Sequence, residues 1–135
     1  MLGIIDYGLS NINSIANAID KLNYKFEIIN KAKNLDKYEK IILPGVGSFP
    51  HAMKNLKKKK LIEPLVNFIH NDKKPFLGIC LGMQLLYESS SEGTQSKGLG
   101  ILNGSVKRLV PTSNFRSPNM GWREIKIKKK SILLN

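Results

Sequence analysis

The sequence has a single cysteine, Cys80, so it can form no internal disulfide and no multi-cysteine metal site. The thiol is therefore structural or reactive. Arginine is scarce, with three among the 22 basic residues, and aromatic residues make up only 7%. No apolar run is long enough to span a bilayer, which excludes a membrane-spanning helix. The opening Met1-Leu2-Gly3-Ile4-Ile5-Asp6 has no basic n-region and soon reaches an acid, so it reads as a strand rather than a signal peptide. A cytoplasmic protein is expected. Acidic residues are also few, ten in all, which leaves a net charge of +12.

That charge raises nucleic acid as a partner, but its distribution argues against it. Residues 1–53 carry six basic and five acidic side chains, and residues 54–135 carry sixteen and five. The excess sits in lysine runs, Lys57 to Lys60, Lys73-Lys74 and Lys128 to Lys130, with no aromatic residue between those lysines. Stacking platforms and arginine forks are thus missing. Lysine, isoleucine and asparagine supply 48 of the 135 residues, a bias that fits tolerant surface positions and a solvated basic face. No nucleic-acid partner is expected.

What is present is an ordinary globular composition, 41% hydrophobic over 135 residues, enough for one domain. Leu2 to Ile5 reads as a short apolar strand, and Ile12, Ile15, Ala16, Ile19 and Leu22 share one face of a helix. Lys25 to Asn30 and Ile41 to Leu43 are further strands, separated by a polar stretch, Lys31 to Lys40, without periodicity. Helices over Ala52 to Leu56 and Leu61 to Ile69 flank the lysine run, with Pro64 in a first turn where it is tolerated. Pro75 to Ile79 has the length of a buried parallel strand. This alternation predicts an α/β fold, a flavodoxin-like, doubly wound, mostly parallel sheet with right-handed crossovers. Further on, Ser89 to Lys97 reads as a polar loop, Leu99 to Leu109 as a hairpin about Asn103-Gly104, and Arg123 to Lys128 as a half-exposed strand.

The chemistry concentrates in Gly78-Ile79-Cys80-Leu81-Gly82-Met83-Gln84. An apolar strand ends there and a helix-compatible stretch, Gln84 to Glu88, begins, so Cys80 falls on a tight strand-to-helix turn. Glycines two residues before and two after fit such a nucleophile elbow, because a Cβ at either place would crowd the crossing. A thiol there sits at a helix N-terminus, where free N–H groups favour a thiolate. The plainer reading, a small buried hydrophobe, also fits a lone cysteine. A second loop, Pro44-Gly45-Val46-Gly47-Ser48, leaves the neighbouring strand at the same carboxyl edge of the sheet. Its glycines allow a backbone N–H to face a developing oxyanion, although an ordinary tight loop would need them as well.

The elbow with Gln84 resembles the active-site cysteine motif of class I glutamine amidotransferases. Together with Pro44-Gly45-Val46-Gly47, Asp6-Tyr7-Gly8 with Asn11, and Pro118-Asn119-Met120-Gly121-Trp122, the whole chain is similar to the glutaminase subunits of imidazole glycerol phosphate synthase. That resemblance implies a glutaminase with Cys80 as nucleophile and the N–H groups of Gly47 and Leu81 holding the oxyanion. It implies that Gln84 and Glu92 contact the substrate glutamine, and that Asn11, Met120, Gly121 and Trp122 face a (β/α)8 synthase partner in a heterodimer. Ammonia would pass to that partner to make imidazole glycerol phosphate in histidine biosynthesis. No cofactor and no metal is implied.

Two departures matter. The family often has histidine where this chain has Asn119, a variation associated with paralogues in surface-sugar biosynthesis. The family's catalytic histidine and glutamate follow the segment matched here, so residues 1–135 read as an incomplete amidotransferase domain, matching about the first two thirds of the family's length. Of the two histidines present, His70 precedes the elbow strand, whose five residues Pro75 to Ile79 alone put it about 16 Å from Cys80 at ~3.3 Å per residue, on the wrong edge of the sheet. His51 follows the oxyanion loop but matches no family position. A catalytically inactive subunit that only docks on a synthase, and a redox or structural cysteine on a flavodoxin-like domain, are the competing expectations.

Overall fold

The computed structural model describes residues 1–31, 34–93, 95–111, 121, 122 and 124–129. In chain order its elements are β1 (Leu2–Ile5), α1 (Ile12–Lys21), β2 (Phe26–Ile29), β3 (Lys40–Leu43), α2 (Phe49–Lys58), α3 (Ile62–His70), β4 (Phe76–Gly78), α4 (Leu81–Gln84), β5 (Tyr87–Ser90), β6 (Ser96–Lys97) and β7 (Leu102–Val106). The first four strands form one parallel sheet in the order β2-β1-β3-β4. The last three form a small second sheet, β6-β5-β7.

Strand periodicity divides the main sheet into two faces. Ile5, Ile29, Ile41 and Leu43 join a buried cluster with Phe49, Ala52 and Leu56 of α2 and Leu65 and Phe68 of α3. Each of the large side chains in that cluster contributes roughly 1.5–3 kcal/mol by leaving water. Ile4 and Ile42 are buried but lie outside it, in register with each other on the opposite face. Among the described helices α1 remains to cover that face, and it buries none of its residues fully. Ile28 and Leu77, in register with Ile4 and Ile42, stay 43% and 37% exposed. Helices on both faces give the doubly wound arrangement expected, with the α1 face thinly covered.

Several expectations need correction. The helix does not run from Gln84 to Glu88: α4 stops at Gln84, and Tyr87–Ser90 is β5. The carbonyls of Leu85 and Leu86 accept from the N–H groups of Leu99, Ile101 and Leu102, so tertiary pairing takes the acceptors a longer helix would need. The hairpin about Asn103-Gly104 is absent, since both lie inside β7, which runs parallel to β5. Tyr87 pairs with Leu102 and Ser89 with Ser105, so β7 carries an extra residue, and Gly104 takes it up at φ 111°. Residues 89–97 are not all loop, because Ser89, Ser90, Ser96 and Lys97 pair as strands. Of the strand expected over Arg123 to Lys128, Arg123 lies outside the described residues, and residues 124–128 form no strand. In the polar stretch before β3, Leu35 and Tyr38 are buried, and a Cβ on Gly3 would lie 3.2 Å from the Tyr38 ring.

Candidate active site

Cys80 stands between β4 and α4 with φ 55° and ψ −118°, a left-handed conformation that few non-glycine residues adopt. The surrounding backbone enforces it. A Cβ on Gly78 would lie 2.6 Å from the Met83 Cα, and one on Gly82 would collide with the Leu43 carbonyl oxygen. Helix α4 thus crosses directly over the ends of β3 and β4, and the flanking glycines are sterically required. The cysteine is exposed while Leu81 beside it is buried. In the first turn of α4, the Gly82 N–H donates to the Ile79 carbonyl and those of Met83 and Gln84 donate to the Cys80 carbonyl. The Leu81 N–H has no protein acceptor among the described residues, which leaves a donor at the sulfur's own turn.

The loop after β3 is tied to the loop after β1, because the Val46 N–H donates to the Leu9 carbonyl at 2.8 Å. Gly47 follows at φ 90°, and its N–H also lacks an acceptor among the described residues. Ser48 is the N-cap of α2 but makes no side-chain capping bond. That task falls to Glu92, whose carboxylate accepts the Phe49 N–H at 3.0 Å. The Glu92 N–H in turn donates to the buried Ser90 hydroxyl at 3.1 Å. Beside this network lies a cleft of 470 Å³ lined by Gln84, Ser90, Glu92, Gly93, Lys107 and Arg108 among others. It carries both charge signs within reach of one small ligand, as a zwitterionic amino acid would require.

The family model for class-I glutamine amidotransferases matches residues 3–131. This chain belongs to that family. Among its relatives, the imidazole glycerol phosphate synthase subunit HisH of Prochlorococcus marinus strain SARG is 48% identical over 124 residues, 92% of this chain and 57% of that protein. Imidazole glycerol phosphate synthase subunit HisH 1 of Campylobacter jejuni strain 81-176 is 45% identical over 98% of this chain and 66% of its own length. The chain therefore spans about three fifths of these relatives. A crystal structure of a glutamine amidotransferase superposes with a TM-score of 0.66 at 18% identity, covering 79% of this chain and 56% of that one, which supports the fold alone.

Within this amidotransferase frame the sequence-predicted residues fall into groups. Gln84 and Glu92 border the same cleft, whereas Cys80 and Gly47 are not among its lining residues. Asn11 caps α1 without a side-chain bond, on the loop that Leu9 fastens to the Val46 loop. Gly121 and Trp122 are exposed, and Met120 lies outside the described residues, as does Asn119. His51 is exposed on α2 and His70 exposed at the end of α3, and neither borders the cleft. Among the described residues no cluster of histidine, cysteine and carboxylates could hold a metal, and no helix is long and apolar enough to cross a membrane. Sequence reasoning missed Ser90, Lys107 and Arg108. The only signal for them was a rare arginine beside the end of an apolar alternation.

Proposed function

We propose that this chain supplies the glutamine-hydrolysing site of an imidazole glycerol phosphate synthase. The observation that carries the reading is the strained Cys80 at the start of α4, beside a Leu81 N–H that has no acceptor among the described residues. In this reading the Cys80 thiolate attacks the side-chain amide carbon of glutamine, and the oxyanion of the tetrahedral adduct accepts from the Leu81 and Gly47 N–H groups. The amide nitrogen takes a proton from solvent water, and collapse of the adduct then expels ammonia and leaves a γ-glutamyl thioester. Water then cleaves the thioester, returning the thiol and releasing glutamate. Glu92 and Gln84 hold the substrate's polar ends in the adjoining cleft. Ammonia passes to a (β/α)8 cyclase docked over Asn11, Met120, Gly121 and Trp122, in a cytoplasmic heterodimer. The relatives named HisH support the pathway, and no cofactor is needed for the chemistry.

A second reading, a docking subunit without turnover, is favoured by one observation: neither histidine borders the cleft beside the elbow. A diazoketone analogue of glutamine separates the two from a purely structural cysteine. Covalent modification of Cys80, followed by mass spectrometry and blocked by added glutamine, is the expected result. Labelling that glutamine does not compete would remove the substrate site from the proposal.

A further inference from the structure

Tyr7 is fully buried, and its hydroxyl has no hydrogen-bond partner among the described residues. Such a group is uncommon, because an unsatisfied buried hydroxyl costs about 1–3 kcal/mol. Its surroundings say where it points. A Cβ added to Gly45 would collide with this hydroxyl, and it would also lie 2.9 Å from the Gly82 nitrogen and 3.0 Å from the Leu81 Cβ, so the Gly45 backbone meets the phenol and the start of α4 together. The phenol is therefore wedged between the Pro44–Gly47 loop and the first turn of α4, behind the nucleophile. Its backbone is held in turn by α2, because the Asn55 amide donates to the Tyr7 carbonyl at 3.0 Å and the Lys59 ammonium to the Asp6 carbonyl at 2.8 Å.

We infer that Tyr7 is a positioning residue for Cys80: its ring fixes the spacing between loop and elbow, and its free O–H turns toward negative charge developing there. A buried hydroxyl held in place by packing needs little reorganisation when the charge forms, which is the condition under which a dipole contributes most. Cys80 raises the Tyr7 pKa, as a negative charge close to the phenol would, although burial is the larger cause. The phenol stays protonated at physiological pH and acts as a neutral donor. No proton is transferred, and no bond forms or breaks at Tyr7. The inference rests on Cys80 being the nucleophile of the proposed function.

The experiment exploits the single cysteine, because alkylation by iodoacetamide can report on no other thiol. Tyr7→Phe keeps the wedge and removes the hydroxyl, and Tyr7→Leu removes the ring. The rate is followed by mass spectrometry from pH 6 to 11 in each protein, alongside thermal melting. For Tyr7→Phe the expected result is an unchanged or raised melting temperature, with alkylation about threefold slower near pH 7, the scale of one net hydrogen bond. The two profiles should converge at the alkaline end, where the thiolate is fully formed in both. Tyr7→Leu should slow alkylation further and lower the melting temperature. Superimposable profiles for wild type and Tyr7→Phe would overturn the inference and leave Tyr7 as a packing residue. A lower melting temperature for Tyr7→Phe would overturn it too, by showing that the hydroxyl has a structural partner. Slow wild-type alkylation at every pH would instead count against Cys80 as nucleophile, so the two failures are distinguishable.

Discussion

The backbone N–H of Phe49 donates to the carboxylate of Glu92 at 3.0 Å, across 43 residues of sequence. One bond thus ties the helix that leaves the Gly47 loop to the wall of the cleft beside the elbow. A carboxylate at a helix N-terminus satisfies an orphan donor and complements the dipole. It also means that the residue expected to touch substrate is already held in place from one side, by α2 and by the Ser90 hydroxyl behind its own N–H.

Replacing Glu92 by alanine should therefore act twice. Loss of the cap is expected to cost about 1 kcal/mol of stability, read as a lower denaturant midpoint at unchanged slope. The same variant should lose glutamine protection of Cys80 from the diazoketone. Glutamine protection that survives with lowered stability would reduce Glu92 to a cap alone.

Gly82→Ala is expected to be the most disruptive single methyl in the protein. Its Cβ would run into the Leu43 carbonyl oxygen, which is backbone and cannot rotate away. Overpacking against side chains costs about 1–3 kcal/mol, and a backbone clash should reach the upper end of that range or beyond. Thermal melting and circular dichroism measure it. A change of less than about 0.5 kcal/mol, the scale of a neutral surface substitution, would mean that α4 does not cross β3 where the structure puts it.

Gly47→Val tests a different kind of glycine. A Cβ there would meet nothing nearer than the Leu9 Cδ2 at 3.9 Å, so the strain comes from φ 90° alone and stability should fall by only about 1–2 kcal/mol. In a glutamine-hydrolysing assembly the peptide N–H would be displaced from the oxyanion, cutting turnover by roughly 10²-fold. Equal losses in folding and turnover would assign Gly47 a structural role.

The Tyr7 phenol gives a pH dependence whose sign is fixed. Burial, and then the charge of Cys80, push its pKa up from the ordinary 10.0, so the folded state holds the proton more tightly than the unfolded chain. Its contribution is intact below pH 10 and is lost as pH rises from there toward the folded value. The stability of the wild type should therefore decline above pH 10 more steeply than that of Tyr7→Phe, measured by urea unfolding at successive pH values. Parallel curves would show that the phenol ionises without cost.

Local pattern carried the parts of the fold that local pattern determines. The apolar runs of β1 and β3, the spacing of Ile12, Ile15 and Ile19, and the paired glycines about Cys80 each encode their element within a few residues. What escaped was set by partners far away in sequence. Leu85 and Leu86 fit a helix by themselves, but their carbonyls are taken by Leu99, Ile101 and Leu102. Asn103-Gly104 has the composition of a hairpin turn and is used as an irregularity in a parallel strand, with the Gly104 N–H donating to Glu88. Leu35 and Tyr38 anchor a stretch without periodicity, because two isolated side chains leave no period to detect. Glu92 could be named from resemblance, but its bond to Phe49 exists only once β5 has brought the two segments together.

Residues 1–135 unaided should be poor at hydrolysing glutamine and should self-associate. Their elbow is built, yet neither histidine borders the cleft: His51 faces outward from α2, and His70 ends α3. General base catalysis contributes about 10² to 10⁴-fold, and the N-terminal dipole of a helix as short as α4 restores little of it. Ammonia release from glutamine by the isolated chain should thus be slower than that of an enzyme with a positioned base by at least the lower of those factors. Solution behaviour should follow from the sheet. Among the described residues β4 pairs only with β3, and Leu77 and Ile28 leave apolar surface on the thinly covered face. An open strand edge beside apolar surface favours pairing between chains, which the +12 charge opposes only at low ionic strength. Light scattering in 0.15 M salt should accordingly report species larger than a monomer. Supplying in trans the part of the Campylobacter jejuni HisH 1 relative that this chain does not match should reduce that association and raise ammonia release. A monomer that hydrolyses glutamine unaided at an enzymatic rate would overturn this account, and His51 would then be the first residue to replace.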